Sequence, residues 1–197
     1  MKLLLASFLH PDLGNYISDR VLYIDDAASE VRDAPFAQAE RKAIEEAAET
    51  LVPLTLSQSK SNDLQYEIAS ANCIYVASGE VFRLLNALRS TGADRLLTDA
   101  VNQGKLYAGS SAGAIIAGPS IEPASIMDDP KTAPQLTDYT GLNLTPHVIV
   151  PHAQGTTGPY SIEVIIKTVE TYGREWNLLL LRDGQALFMD DEKSILI

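Results

Sequence analysis

Cysteine is almost absent: Cys73 is the single thiol in 197 residues. That excludes an internal disulfide framework and suits a reducing compartment. The residue sits in Asn72-Cys73-Ile74-Tyr75-Val76, a run that reads as a buried strand, so a core thiol is expected and not a reactive one. Positive charge is also short. Fifteen Lys and Arg stand against 26 Asp and Glu, a net charge of −11, and no basic cluster exists to neutralise phosphates. Nucleic acid is therefore excluded as a partner. No apolar run approaches the ~20 residues of a membrane span, so no membrane partner is expected. The opening MKLLLASFLH, with its one Lys, reads as a first strand and not as a signal peptide. These absences point to a cytoplasmic protein. Its length suits one domain over residues 1–197, and 46% hydrophobic residues suffice for a real core. Oligomeric state is not legible.

Short strand patterns alternate with helical ones along the whole chain. Residues 2–7, 21–24, 52–56, 74–77, 106–108, 142–150, 178–181, 186–189 and 194–197 read as strands, the last two as a terminal meander. Residues 36–51, begun by Pro35, carry Ala43, Ile44, Ala47, Ala48 and Leu51 on one helical face. Glu40, Arg41, Lys42, Glu45, Glu46 and Glu49 fall elsewhere and read as solvated. Further helices fit Val81, Leu84, Leu85 and Leu88, then residues 93–102, then 159–172 with Ile162, Ile165, Ile166 and Val169 inward. The alternation predicts an α/β fold with a mostly parallel central sheet and helices on both faces. Residues 119–139, rich in Pro, Asp and Thr, are long for a structureless connection and read as a functional loop.

Gly109-Ser110-Ser111-Ala112-Gly113 fits the G-x-S-x-G nucleophile elbow. An apolar run (Leu106, Tyr107, Ala108) precedes it and a small-residue run (Ala112, Ala114, Ile115, Ile116, Ala117) follows. A strand–turn–helix of this kind strains the central residue and crowds the positions two before and two after it, which therefore need to be glycine. The symmetric glycines select Ser111 over Ser110 as the nucleophile. The competing reading is a plain Gly-Ser turn.

A serine hydroxyl needs a base, and three histidines exist. His152 directly follows Val148-Ile149-Val150-Pro151, just past the end of a strand, and is the expected base. His147, inside residues 142–150, reads as packed or surface; His10 follows the first strand with nothing else to mark it. The orienting carboxylate is left open among Asp128, Asp129 and Asp183. For the oxyanion hole, the elbow supplies the N–H of Ala112, and Gly79 in Ala77-Ser78-Gly79 is the second donor. No metal or cofactor is implied.

Taken together these blocks resemble the peptidase E family, the S51 serine peptidases that include aspartyl dipeptidase and cyanophycinase. The resemblance covers nearly the whole chain. It rests on the opening strand, on Ala77-Ser78-Gly79-Glu80-Val81-Phe82-Arg83-Leu84-Leu85, on Gly109-Ser110-Ser111-Ala112-Gly113-Ala114, and on Gly141-Leu142-Asn143-Leu144 leading to Val150-Pro151-His152. It implies the class I glutamine-amidotransferase-like three-layer sandwich, with Ser111 as nucleophile and His152 as base. Asp128 resembles the triad acid of the aspartyl dipeptidases, whereas Arg182-Asp183-Gly184-Gln185-Ala186-Leu187 resembles the late acidic segment of cyanophycinase-like members and favours Asp183.

Two departures from the family pattern matter. Ser78, Glu80 and Val81 stand in the oxyanion segment where the family usually has G-G-G-N-T, and Glu80 would oppose a developing oxyanion unless it points away. The segment after His152 carries Gly158-Pro159-Tyr160-Ser161 and lacks the family's arginine, which argues against specificity for N-terminal Asp. The expected function is a serine peptidase hydrolysing small peptides through an acyl-enzyme. One alternative is a non-catalytic binding or scaffold protein on the same fold, favoured by the altered oxyanion segment. Another is an α/β-hydrolase esterase, which the 41-residue spacing from Ser111 to His152 disfavours.

Overall fold

Seven strands form the central sheet in the order β11-β10-β1-β5-β4-β2-β3. The structure, a computed structural model, describes residues 1–17 and 19–197. In chain order its elements are β1 (Lys2–Ala6), β2 (Arg20–Ile24), α1 (Pro35–Ala47), β3 (Thr50–Leu54), α2 (Ser61–Ser70), β4 (Cys73–Val76), α3 (Val81–Thr91), α4 (Ala93–Asn102) and β5 (Leu106–Ser110). There follow α5 (Ala112–Ile115), β6 (Val148–Val150), β7 (Thr156–Thr157), β8 (Tyr160–Ser161), α6 (Ile162–Tyr172), β9 (Leu178–Leu180), β10 (Ala186–Met189) and β11 (Ser194–Leu196). β1, β5, β4, β2 and β3 run parallel, and β10 and β11 add an antiparallel edge beside β1. β6 and β9 pair separately, in parallel.

Strand alternation builds the three layers. Leu3, Leu5, Leu22, Ile24, Ile74 and Val76 face one core with α2, α3 and α4. Leu4, Ala6, Val21, Tyr23, Cys73 and Tyr75 face the other, with Ile44 of α1. Successive side chains of a strand point to opposite faces, so a strand buried on both sides reads as a continuous apolar run. Cys73 lies in that second core, and burial pushes its thiol up to about 12, which makes it inert at neutral pH.

Five local expectations change. The helix expected over residues 36–51 ends at Ala47, and Leu51 belongs to β3. Its inward stripe is Ala37, Glu40 and Ile44, so Glu40 is buried and not solvated. α2 has no counterpart in the sequence reading: among its described side chains Leu64 and Ile68 face the core, while Tyr66 is exposed. The strand expected over residues 142–150 shrinks to Val148–Val150, because Leu142, Asn143 and Leu144 bond back to Ile116, Gly118 and Ala117 and Asn143 takes a φ of 53°. On α6 the buried residues are Ile165 and Thr168, whereas Ile162, Ile166 and Val169 are exposed. Among the described residues no helix is long and apolar enough to cross a membrane.

Candidate active site

β5 runs straight into the elbow. Ser111 takes φ 48° and ψ −108° between β5 and the single turn of α5, a conformation L-residues avoid unless their surroundings impose it. The flanking glycines show what imposes it. A Cβ on Gly109 would sit 2.3 Å from Gly113 O, and one on Gly113 would sit 2.0 Å from Val76 O. The turn is closed from β1, where Ala6 O accepts the Ser111 N–H at 3.1 Å. Ala112 opens the turn of α5, where an N–H has no intrahelical acceptor.

His152 leaves β6 through Pro151 and also adopts a left-handed φ, 57°. Its Nε2 lies 3.1 Å from Ser111 Oγ and its Nδ1 lies 2.8 Å from Asp183 Oδ1. Asp183 comes from the turn after β9. Its Oδ1 also accepts from Ser7 Oγ at 2.7 Å, and Ser7 Oγ in turn accepts the His152 N–H at 2.7 Å. Its Oδ2 accepts from Gln154 Nε2 at 2.6 Å and from Thr157 Oγ1 at 2.5 Å, while Gln154 Oε1 takes the Asp183 N–H at 2.9 Å. The Tyr160 ring stacks on the imidazole, 4.7 Å between centroids and 4° from parallel.

The electrostatics follow from this packing. Burial lowers the His152 pKa from its ordinary value, although the Asp183 charge and hydrogen bond pull the other way. Burial raises the Asp183 carboxyl, but hydrogen bonds from Thr157 and Ser7 and the neighbouring His152 outweigh it, leaving a net downward shift. A neutral imidazole beside an ionised carboxylate results, the state in which Nε2 can accept a proton.

Asp128 does not meet His152. Its Oδ2 accepts the Val81 N–H at 3.0 Å and its Oδ1 accepts the Tyr160 hydroxyl at 3.2 Å. Burial, with the nearby Glu80 charge, raises its carboxyl to about 6 against the pull of the Val81 N–H. Asp129 caps the turn at Lys131 N–H, His10 accepts the Asp12 N–H, and His147 pairs with Asn177. Glu80 turns its carboxylate to the first turn of α3, accepting the N–H of Phe82 at 3.3 Å and of Arg83 at 2.7 Å. It thus serves as the N-cap of α3.

Gly79 sits at φ 138°, and a Cβ there would lie 2.3 Å from Ala27 O. Gly79, Ser111 and His152 line one cavity of about 540 Å³. Phe8, Val31, Phe36, Pro159 and Tyr160 are among its apolar and aromatic lining, and Glu30, Glu80, Arg83 and Asp128 are its charged members. Arg83 Nη1 is paired with Glu30. Among the described residues no group of three or more His, Cys, Asp and Glu is arranged to hold a metal ion. Sequence reasoning missed Ser7, Gln154, Thr157 and Tyr160. Ser7 at the end of β1 had the only available signal, its place at the sheet edge shared with the elbow.

Known proteins resemble this chain in sequence and fold. The profile of Peptidase family S51 matches residues 4–197. An uncharacterized peptidase of Pasteurella multocida (strain Pm70) is 32% identical over 202 residues, spanning 99% of this chain and 96% of that protein. An uncharacterized peptidase of Listeria innocua is 34% identical over 169 residues, 85% of this chain and 79% of that one. The crystal structure of a candidate peptidase E protein from Listeria monocytogenes EGD-e matches with a TM-score of 0.89 and 29% identity, covering 100% of this chain and 97% of its own. The sandwich is therefore the class I glutamine-amidotransferase-like one, and the chain belongs to Peptidase family S51, a family of peptidase enzymes.

Proposed function

We propose that the chain, as one domain over residues 1–197, is a cytoplasmic serine peptidase that cleaves small peptides through an acyl-enzyme. The observation that carries the reading is the continuous chain Ser111 Oγ, His152 Nε2, His152 Nδ1, Asp183 Oδ1, with contacts of 3.1 and 2.8 Å. In this mechanism Ser111 Oγ attacks the amide carbonyl and His152 Nε2 takes its proton. Asp183 fixes the tautomer that leaves Nε2 free and stabilises the imidazolium that forms. The N–H groups of Gly79 and Ala112 receive the oxyanion. His152 then gives its proton to the leaving amine, and water, deprotonated by the same nitrogen, releases the acyl group from Ser111.

The cavity also bears on the substrate. Asp128, held by Val81 and Tyr160, lines the same cavity as Gly79 and suits the α-ammonium of a peptide's N-terminal residue. The apolar lining residues Phe8, Val31 and Phe36 suit an uncharged side chain. Arg83, the cavity's Arg, pairs its Nη1 with Glu30, so an N-terminal Asp side chain competes with Glu30 for that guanidinium. The non-catalytic alternative drew on the altered oxyanion segment, Ser78, Glu80 and Val81; against it stands the engagement of the Glu80 carboxylate at the N-terminus of α3. Family membership displaces the α/β-hydrolase reading.

A fluorophosphonate probe tests the reading. Ser111 is expected to form a P–O bond and expel fluoride, with labelling abolished in Ser111→Ala. A folded, monodisperse wild-type protein that stays unlabelled overturns it. A dipeptide library varied at its first residue then defines the substrate.

A further inference from the structure

Glu40 lies on α1 but is completely buried, and it reaches from that helix to the base of the candidate oxyanion turn. Its Oε1 accepts the Tyr75 hydroxyl at 2.8 Å. Both its oxygens accept the Ser78 N–H, at 3.2 and 3.1 Å, and Oε2 also accepts the Ser78 hydroxyl. The Ser110 hydroxyl adjoins both Glu40 and Tyr75, without reaching a hydrogen bond of ordinary geometry. Ser78 immediately precedes Gly79, and Ser110 immediately precedes Ser111. One carboxyl group thus backs both turns from which the site is built, while Glu40 itself does not line the cavity.

Packing alone does not account for it. A buried carboxyl group is unfavourable unless hydrogen-bonded, and an apolar side chain of the same volume fills such a space at least as well. Burial drives the Glu40 carboxyl upward, and the bonds from Ser78 and Tyr75 oppose that shift. What the acid adds is backbone geometry. The Ser78 N–H and hydroxyl fix the residue before Gly79, and Ala27 O, accepting the Glu80 N–H at 2.9 Å, fixes the residue after it. Gly79, at φ 138°, is clamped from both sides.

We propose that Glu40 is a positioning residue of the active site: it holds Ser78, and through it the Gly79 N–H, at a fixed place relative to Ser111. This rests on the reading of Gly79 as an oxyanion donor and of Ser111 as the nucleophile. It also gives Ser78 a purpose in a segment that otherwise departs from the family pattern. Ser78 supplies the hydroxyl that Glu40 grips.

The test uses the rate of fluorophosphonate labelling of the whole chain, resolved into the maximal rate kinact and the half-saturating concentration KI. The probe's phosphoryl oxygen occupies the oxyanion position, so a displaced Gly79 lowers kinact and leaves KI alone. Glu40→Leu, which keeps volume and removes every acceptor, is expected to lower kinact at least tenfold with KI within twofold of wild type. Glu40→Gln, which keeps one acceptor oxygen, is expected to restore kinact to within about threefold. The pH dependence set by His152 stays where it is in both. A folded Glu40→Leu that labels at the wild-type rate overturns the proposal. Should Glu40→Leu fail to fold, Ser78→Ala decides: a severalfold lower kinact supports the clamp, and a wild-type kinact overturns it. Failure of the underlying reading looks different, because wild type itself then goes unlabelled.

Discussion

The Nδ1 of His152 and the Oδ1 of Asp183 lie 2.8 Å apart, and a second route joins the same two residues: the His152 N–H donates to Ser7 Oγ, which donates to that same Oδ1. Ring and main chain of the histidine are both referenced to one carboxylate oxygen. The other oxygen is held by Gln154 and Thr157, so the acid has little rotational freedom. Asp128 belongs to a different construction, bound to Val81 and to the Tyr160 hydroxyl on the far end of the ring that stacks on His152.

These two carboxylates therefore separate on substitution. Asp183→Asn keeps the shape but offers an amide where Nδ1–H needs an acceptor, and in a serine triad such a change costs about 10³- to 10⁴-fold in turnover. A comparable loss of fluorophosphonate labelling rate is expected. Asp128→Asn leaves that rate within about threefold, because Asp128 does not touch His152. The reverse ranking of the two rates would assign the triad acid to Asp128.

The sequence made the elbow legible because its glycines answer to backbone contacts within a short stretch: Gly109 against Gly113 O and Gly113 against Val76 O. His152 was legible from its place after β6 and Pro151. Which of Asp128 and Asp183 contacts His152 was not, since it depends on how β6 and β9 pair in parallel and bring residues 152 and 183 together. Glu40 was misplaced on the solvent side because its charge outweighed the i, i+4 spacing to Ile44. The partners that make burial tolerable, Tyr75 and Ser78, are 35 and 38 residues away. α6 misled in the opposite sense, with Ile162, Ile166 and Val169 outward. Periodicity finds a helix's apolar stripe but does not report which stripe meets the core.

Acid should silence the site through His152. Its pKa is lowered below 6.5 by burial, so the neutral, proton-accepting form persists to lower pH than for a free histidine. The labelling rate is expected to be flat above pH 7 and to fall on acidification with a midpoint below 6.5. Asp183, shifted downward from 3.8, stays ionised across that range and adds no second step. A midpoint above 7 in a pH–rate profile would contradict the burial that sets the shift.

Stability should respond to pH through Asp128 with the opposite sign from most carboxylates. Its folded pKa is about 6 against 3.8 for the ordinary group, so between those values the folded state binds more protons than the unfolded one. Linkage then makes this group's contribution less favourable as pH rises through that window, with the full penalty reached above pH 6. Asp128→Asn removes the charge and is expected to raise stability at pH 7.5 by about 1–2 kcal/mol. The gain should shrink toward zero by pH 4. Urea denaturation of both proteins at the two pH values measures it.

The elbow glycines should be intolerant in a graded way. Gly113→Ala places a methyl 2.0 Å from Val76 O, a backbone atom of the central sheet that cannot rotate aside. A loss of about 4 kcal/mol or more is expected, the range reserved for strain and overpacking at sites that cannot relax. Gly14→Ala is the control, since a Cβ there meets nothing within 4 Å. Its melting temperature should stay within a few degrees of wild type.

Substrate charge should be read by Asp128, Glu30 and Arg83 together. Asp128 and Glu80 give the cavity lining a negative character, and Arg83 offers its charge to Glu30. A dipeptide with an uncharged first residue brings its α-ammonium to Asp128 without introducing a second carboxylate. One beginning with Asp brings a carboxylate into a region already holding two, and like charges at short range cost more there than in water. Dipeptides beginning with Leu or Ala are therefore expected to exceed those beginning with Asp by at least about tenfold in kcat/KM. N-acetylation of the preferred dipeptide removes the ammonium and should raise KM, as should Asp128→Asn, with kcat less affected. Glu30→Gln frees the Arg83 guanidinium and should narrow the gap by improving Asp-initiated dipeptides selectively. Equal gains for every dipeptide in Glu30→Gln would show that Arg83 does not face the bound side chain.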